Sequence, residues 1–247
     1  FEALFAKLAP RPVTIRLLDP PLHEFVPHDK EKLQQLAKEL DIRMSVLKRR
    51  VLELHENNPM LGHRGVRLGI SYPEITETQV RAILSAAAEL IKAGKKPFPE
   101  IMIPVTCTVN ELSHQKALVE KVYAAVKAHF GVESIPFLFG TMIEIPRAAL
   151  QAGKMAEEAE FFSFGTNDLT QMSFGFSRDD IGGFLPNYLD QRILHDDPFQ
   201  TIDQEGVGEL IGFGIERGRK TRPELEVGIC GEHGGDPESV KFCHRIG

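Results

Sequence analysis

Short apolar runs alternate with longer segments of helical spacing along the whole chain. Read as strands, the runs lie near Pro12–Leu18, Gly65–Ile70, Glu100–Thr106, Pro136–Met142, Phe161–Gly165 and Glu226–Cys230. Helix-like stretches separate them at Lys30–Glu56, Thr76–Ala93, Asn110–His129, Pro146–Glu158 and Ile202–Arg219. Thr76 and Asn110 read as helix starts, and Gly131 as a helix stop. This alternation predicts parallel strands joined by right-handed crossovers. The class is α/β, either a doubly wound sheet or a TIM-type (β/α)8 barrel, and in both ligands bind beyond the strand C-termini. The length suits a barrel, yet six strands are recognisable rather than eight. No low-complexity linker or obvious repeat divides residues 1–247, which read as one domain.

Composition narrows the function classes. With 247 residues, 42% apolar and 26% charged, the chain can bury a large core. A net charge of −6 and no basic tract argue against a nucleic-acid partner. No apolar run approaches the roughly 20 residues that span a bilayer. No signal peptide is visible, and a start at Phe1 rather than Met reads as a missing native N-terminus. Cys107, Cys230 and Cys243 have no paired spacing, which fits a reducing, cytoplasmic setting and argues against a disulfide framework or zinc site.

The chemically suggestive residues sit at the strand ends. Glu144 lies in Pro136-Phe-Leu-Phe-Gly-Thr-Met-Ile-Glu-Ile-Pro146 and Asp168 in Phe161-Phe-Ser-Phe-Gly-Thr-Asn-Asp168. Each follows an apolar run and the dipeptide Gly-Thr, a layout that sets two carboxylates side by side at the mouth of a parallel sheet. Two oxygen ligands with room for water and substrate suit Mg²⁺. The plainer reading makes each a helix-start residue, Glu144 before Pro146 and Asp168 before Leu169. Gly165, Thr166 and Asn167 also offer a turn whose N–H groups can cradle an anion, although the same residues are ordinary turn chemistry.

Arg16 lies inside Val13-Thr-Ile-Arg-Leu-Leu-Asp19, where a charge must be paired or used. It either holds a phosphoryl oxyanion or pairs with Asp19 or Glu24. Arg64 and Arg67, in Gly62-His-Arg-Gly-Val-Arg-Leu-Gly69, suit an anionic ligand or surface pairing. Cys230, in Val227-Gly-Ile-Cys-Gly-Glu-His-Gly-Gly235, is either a small buried hydrophobe or a thiol acid–base, with His233 near enough in sequence to activate it. The nine histidines show no metal spacing, and His23 and His195 read as surface or turn residues. The segment Phe174–Gly183 reads as an irregular active-site loop.

Five stretches resemble one known family. They are Ile15-Arg-Leu-Leu-Asp-Pro-Pro-Leu-His-Glu-Phe25, Gly62-His-Arg-Gly-Val-Arg-Leu68, Gly140-Thr-Met-Ile-Glu-Ile-Pro146, Gly165-Thr-Asn-Asp-Leu-Thr-Gln171 and Gly228-Ile-Cys-Gly-Glu-His-Gly-Gly235. In order, over essentially the whole chain, they look like the C-terminal phosphoenolpyruvate/pyruvate-binding barrel of the pyruvate, phosphate dikinases. Phosphoenolpyruvate synthase and enzyme I of the sugar phosphotransferase system share that barrel, but Asp-Pro-Pro-Leu-His-Glu-Phe and Cys-Gly-Glu-His-Gly-Gly favour the dikinases.

The resemblance implies roles. Glu144 and Asp168 would hold Mg²⁺ with the pyruvate carboxylate and enolate oxygen. Arg16, Gly165, Thr166 and Asn167 would contact substrate. Arg16 and Arg64 would stabilise the transferring phosphoryl group, and Cys230 would move the proton at the pyruvate methyl carbon. The reaction implied is ATP + phosphate + pyruvate = AMP + diphosphate + phosphoenolpyruvate, with the phosphoryl group arriving from a phosphohistidine. By the resemblance, that phosphohistidine would sit on another domain of the same parent chain, and the parent would be a homodimer. By the same comparison, this chain is a fragment lacking the first two strand–helix units, one of which would carry a further substrate arginine. Two alternatives stand beside this: a barrel using Mg²⁺-enolate chemistry as a lyase, and a non-catalytic dimerisation or binding module.

Overall fold

The computed structural model describes residues 1–27 and 29–247, without the side chain of His23, so the surface reading of His23 lies outside the described residues. The elements run α1 (Glu2–Leu8), β1 (Pro12–Arg16), α2 (Lys30–Glu39), α3 (Met44–Leu54), α4 (Val66–Ser71), α5 (Pro73–Lys92), β2 (Phe98–Ile103) and α6 (Val109–Phe130). They continue β3 (Leu138–Ile143), α7 (Pro146–Leu150), α8 (Ala152–Glu158), β4 (Phe161–Gly165), α9 (Thr166–Phe174), α10 (Leu185–Asp190), α11 (Val207–Thr221), β5 (Glu226–Cys230) and α12 (Pro237–Ile246).

The sheet has five strands, all parallel, in the order β1-β2-β3-β4-β5. The sixth expected strand, Gly65–Ile70, is instead the helix α4. A short apolar run reads the same for a strand and for a buried helix. Here Val66, Leu68 and Gly69 are all buried, so no alternation separated the two cases.

Other expectations shift in detail. Lys30–Glu56 breaks into α2 and α3 at Asp41, whose φ of 51° no helix accepts. Pro146–Glu158 breaks at Gln151. Thr76 lies inside α5 rather than at its start. Pro73 fills the first helical position, where its missing N–H costs nothing, and Thr76 Oγ1 donates to Gln115 Oε1 at 3.0 Å. Gly131 ends α6 in the left-handed conformation, as read from the sequence.

Side chains alternate across the strands and give the sheet two unlike faces. Val13, Ile101, Ile103, Phe139, Ile143, Phe162 and Phe164 face the main core, which also takes in α5, α6, α8 and α11. The opposite face carries Thr14, Arg16, Glu100, Met102, Ser163, Gly228 and Cys230. Arg16 on β1 and Cys230 on β5 line one cavity although their strands are the two edges of the sheet. A flat sheet would hold those strands roughly 19 Å apart. The sheet is therefore curled, with the polar face inside.

The helix α6 begins one residue earlier than the Asn110 start expected. Thr108 caps it, accepting from the Glu111 N–H at 3.2 Å, while the Glu111 carboxylate accepts from the N–H groups of Cys107 and Thr108, both at 2.8 Å. This reciprocal cap fixes the turn between β2 and α6. Thr108→Ala is expected to lower stability by about 1 kcal/mol in urea unfolding. An unchanged midpoint would show that the turn is held by other contacts.

Candidate active site

Alternation decides which strand-end residues meet. Glu144 stands two residues beyond Met142, on the same concave side, and is 1% exposed. Its Oε1 accepts from the Val105 N–H at 2.5 Å. Val105 has φ of 60°, a costly conformation for a β-branched residue, and this turns its N–H onto the carboxylate. Gly165 makes the room: a Cβ there would lie 2.5 Å from Glu144 Oε2.

Asp168 sits in the first turn of α9 and is nearly buried. Arg64 reaches it from the turn before α4, with Nη2 at 2.9 Å from Oδ2, and Gln171 Nε2 donates to Oδ1 at 3.2 Å. Arg64 also grips Asp19 with two bonds, Nη2–Oδ2 at 2.8 Å and Nε–Oδ1 at 3.1 Å. Burial opposes the Arg64 charge, but the Asp19 hydrogen bonds and the Asp168 charge outweigh it and hold the guanidinium protonated. Arg16 pairs with the same Asp19, Nη1–Oδ2 at 3.2 Å, with its side chain 47% exposed to the cavity. Asp19 is thus the partner that the sequence offered for Arg16.

Two carboxylates, Asp19 and Asp168, therefore pair with one buried guanidinium. Among the described residues no cation pairs with the third, Glu144. Burial first, then repulsion from Asp168 and Asp19, raises its carboxyl to about 8. The thiol of Cys230 is also pushed up, first by burial, with Ser163 and Arg16 opposing and Glu144 adding to the rise.

A cavity of about 430 Å³ collects Arg16, Glu144, Gly165, Asn167, Asp168 and Cys230, six of the expected site residues. Arg64 and Thr166 do not line it. Arg64 lies behind the carboxylates, and the buried Thr166 donates its hydroxyl to Cys230 O at 3.1 Å. Arg67 bonds the Leu61 and Gly62 carbonyls at 2.9 and 2.7 Å, away from the cavity. His233 is no activator for Cys230. Its two ring nitrogens are committed to Thr166 Oγ1 at 2.7 Å and Pro198 O at 2.9 Å. Met102, Met142, Gln171 and Arg178 are among the further lining residues, without having been picked out individually. Gln171 falls one helical turn after Asp168, and Arg178 lies in the irregular segment after α9, the signals that point to them.

Glu144 and Asp168 fit a divalent cation. Both offer oxygen, Glu144 Oε2 lies against the hydrogen-only side of Gly165, and the Asp168 charge opposes ionisation of Glu144, which a cation between them would offset. No group of three or more His, Cys, Asp or Glu converges on one point among the described residues. A cation here would complete its coordination from water and substrate, which suits Mg²⁺.

The family model described as PEP-utilising enzyme, PEP-binding domain matches residues 1–247. Over its whole length the chain is 54% identical to "Pyruvate, phosphate dikinase" of Clostridium symbiosum, covering 28% of that protein. It is 55% identical to "Pyruvate, phosphate dikinase 1, chloroplastic" of Oryza sativa subsp. japonica, covering 26%, and to "Pyruvate, phosphate dikinase 2" of Zea mays, covering 28%. The chain thus spans about a quarter of the length of these curated relatives.

The raised Glu144 carboxyl sets a pH dependence. Its proton is held more tightly folded, at about 8, than at the ordinary value of 4.5. The cost of ionising it is absent below 4.5, grows as pH rises, and is complete above about 8. In EDTA, Glu144→Gln is expected to melt higher than the parent at pH 9 and near the parent at pH 4.5. Equal differences at both values would show that Glu144 ionises freely.

Proposed function

This chain belongs to the PEP-utilising enzyme, PEP-binding domain family, and from that premise we propose that it binds pyruvate and phosphoenolpyruvate and supports phosphoryl transfer between a phosphohistidine and pyruvate. The overall reaction we assign to the parent protein is that of a pyruvate, phosphate dikinase, the name its relatives carry. The observation that carries the reading is the Glu144–Asp168 pair facing Arg16 and Cys230 across one cavity. We read the curled five-strand sheet as part of a (β/α)8 barrel.

Each residue then has a task. Glu144 and Asp168 would hold Mg²⁺, which when bound offsets the negative charge that develops on the substrate oxygen as the methyl proton leaves. Arg16 keeps one nitrogen on Asp19 and presents the remainder to a phosphoryl or carboxylate oxygen. Arg178 offers a second guanidinium from the cavity wall. Arg64 acts indirectly, by orienting Asp168 and Asp19. Thr166 likewise braces the turn on which Asn167 faces the substrate.

The Cys230 thiol faces the same cavity, and its raised pKa keeps it protonated at neutral pH. It is therefore suited to give a proton to the carbon of the enolate when phosphoenolpyruvate is consumed, and to receive one, as thiolate, in the opposite direction. Further parts of the proposal rest on the resemblance alone: a phosphohistidine-bearing domain of the same parent chain as donor, and a homodimer. No helix among the described residues is long and apolar enough to cross a membrane. We assign the protein to a reducing compartment, the cytoplasm by our reading, although the rice relative is named chloroplastic.

The test uses oxalate, a flat dianion shaped like the pyruvate enolate. Calorimetric titration is expected to show binding that requires Mg²⁺, and Glu144→Ala or Asp168→Ala to abolish it while circular dichroism stays native. Parent-like binding in both variants removes the metal assignment. Cys230→Ala is expected to keep oxalate binding and to stop exchange of pyruvate methyl protons with D₂O, followed by proton NMR. Exchange at the parent rate would hand the proton to another group.

A further inference from the structure

The β4–β5 register pairs Gly165 with Cys230, so the turns that follow leave the sheet side by side. Gly231 makes the contact possible. Its φ of 106° is open to glycine, and a Cβ there would sit 3.3 Å from Asn167 Nδ2 and 3.4 Å from Thr166 Oγ1. The next residue, Glu232, reaches over the rim of the cavity with its side chain 51% exposed.

Both Glu232 oxygens are nevertheless occupied. Asn167 Nδ2 donates to Oε2 at 2.6 Å, and Arg178 Nη2 donates to Oε1 at 2.5 Å. The Asn167 bond first, and the Arg178 bond second, hold the carboxyl down to about 2. An exposed ion pair of this kind ordinarily contributes little to stability. What it contributes here is orientation, because both donors line the cavity.

An asparagine amide has two ends of nearly equal shape, one donating and one accepting. A carboxylate only accepts, so Glu232 forces the Nδ2 end of Asn167 toward itself and leaves Oδ1 buried without a protein partner. Arg178 arrives on the irregular segment after α9, where little else fixes a long side chain. Its backbone N–H is tied to Gln171 Oε1 at 2.8 Å, and Gln171 in turn bonds Asp168. One exposed carboxylate thus sets the direction of two groups that face the ligand.

We propose that Glu232 is a positioning residue of this site: by holding one Nδ2 hydrogen of Asn167 and one nitrogen of Arg178, it directs the second Nδ2 hydrogen and the rest of the guanidinium toward a bound anion. The inference rests on reading the cavity as a Mg²⁺-dependent pyruvate site. Glu232→Gln keeps the size but replaces one acceptor with a donor, so one of its two partners is left facing an N–H group.

The experiment titrates oxalate with Mg²⁺ into the full chain and its variants, with melting temperature recorded in parallel. Glu232→Gln is expected to weaken binding about tenfold or more at an unchanged melting temperature. Glu232→Asp, which keeps two acceptors, is expected to recover part of that loss. Placed on an Asn167→Ala or an Arg178→Ala background, Glu232→Gln should cost less than it does in the parent. The proposal is overturned if Glu232→Gln binds within about twofold of the parent, if affinity and melting temperature fall together, or if the loss is undiminished on both backgrounds. Failure of the unmodified chain to bind oxalate with Mg²⁺ overturns the underlying site reading instead, and with it this proposal.

Discussion

The buried guanidinium of Arg64 is the interaction on which the rest of the site depends. It lies between Asp19 after β1 and Asp168 after β4, and each of its ion pairs spans a different part of the chain. Removing a charge of this kind would leave Asp168 nearly buried without that counter-ion and Asp19 with Arg16 alone, which is far costlier than the loss of an exposed pair. The sheet supplies the scaffold, but its strand ends are held in one arrangement by this cluster. Arg64 satisfies only part of the negative charge around it. Glu144 is left with a backbone N–H and, among the described residues, no cation, and our Mg²⁺ proposal rests on that shortfall.

The surrounding backbone is shaped to preserve the shortfall. Val105 occupies a left-handed conformation that places its N–H on Glu144, and the capped start of α6 holds the turn that carries it. Strain of this sort persists only where neighbouring contacts leave no alternative. Gly165 adds empty space where any side chain would fall on the Glu144 carboxylate. The site is thus organised as much by what is left out as by what is present.

Much of this was legible in the residues. Glu144, Asp168 and Cys230 each end a short apolar run, and in parallel α/β folds such positions converge. Arg16 stood out because a charge inside an apolar run needs a reason, and Asp19 was visible as its partner. Gly65–Ile70 was misread, because so short a run, with Val66, Leu68 and Gly69 all buried, reads the same for a strand and for a buried helix. Arg64 was drawn toward the substrate by its chemistry, whereas the fold uses it behind the carboxylates. The commitment of His233 to Thr166 and Pro198 could not be read at all. It depends on contacts 67 and 35 residues away in sequence, which no local pattern encodes.

The pairing of Gly165 with Cys230 carries a practical consequence for anyone recombining or redesigning this domain. Between Asp168 and Glu226 the chain makes a long excursion through α9, α10 and α11, then returns to exact alignment beside β4. Length added on the surface of that excursion is absorbed before the return. A single residue added between Gly165 and Asp168, or between Cys230 and His233, is not. It would rotate every following side chain out of phase with its neighbour and unfasten Thr166 from His233. Tolerance to insertion should therefore be graded in steps of one residue at these two turns and be far greater in the exposed segment around Gly182 and Gly183.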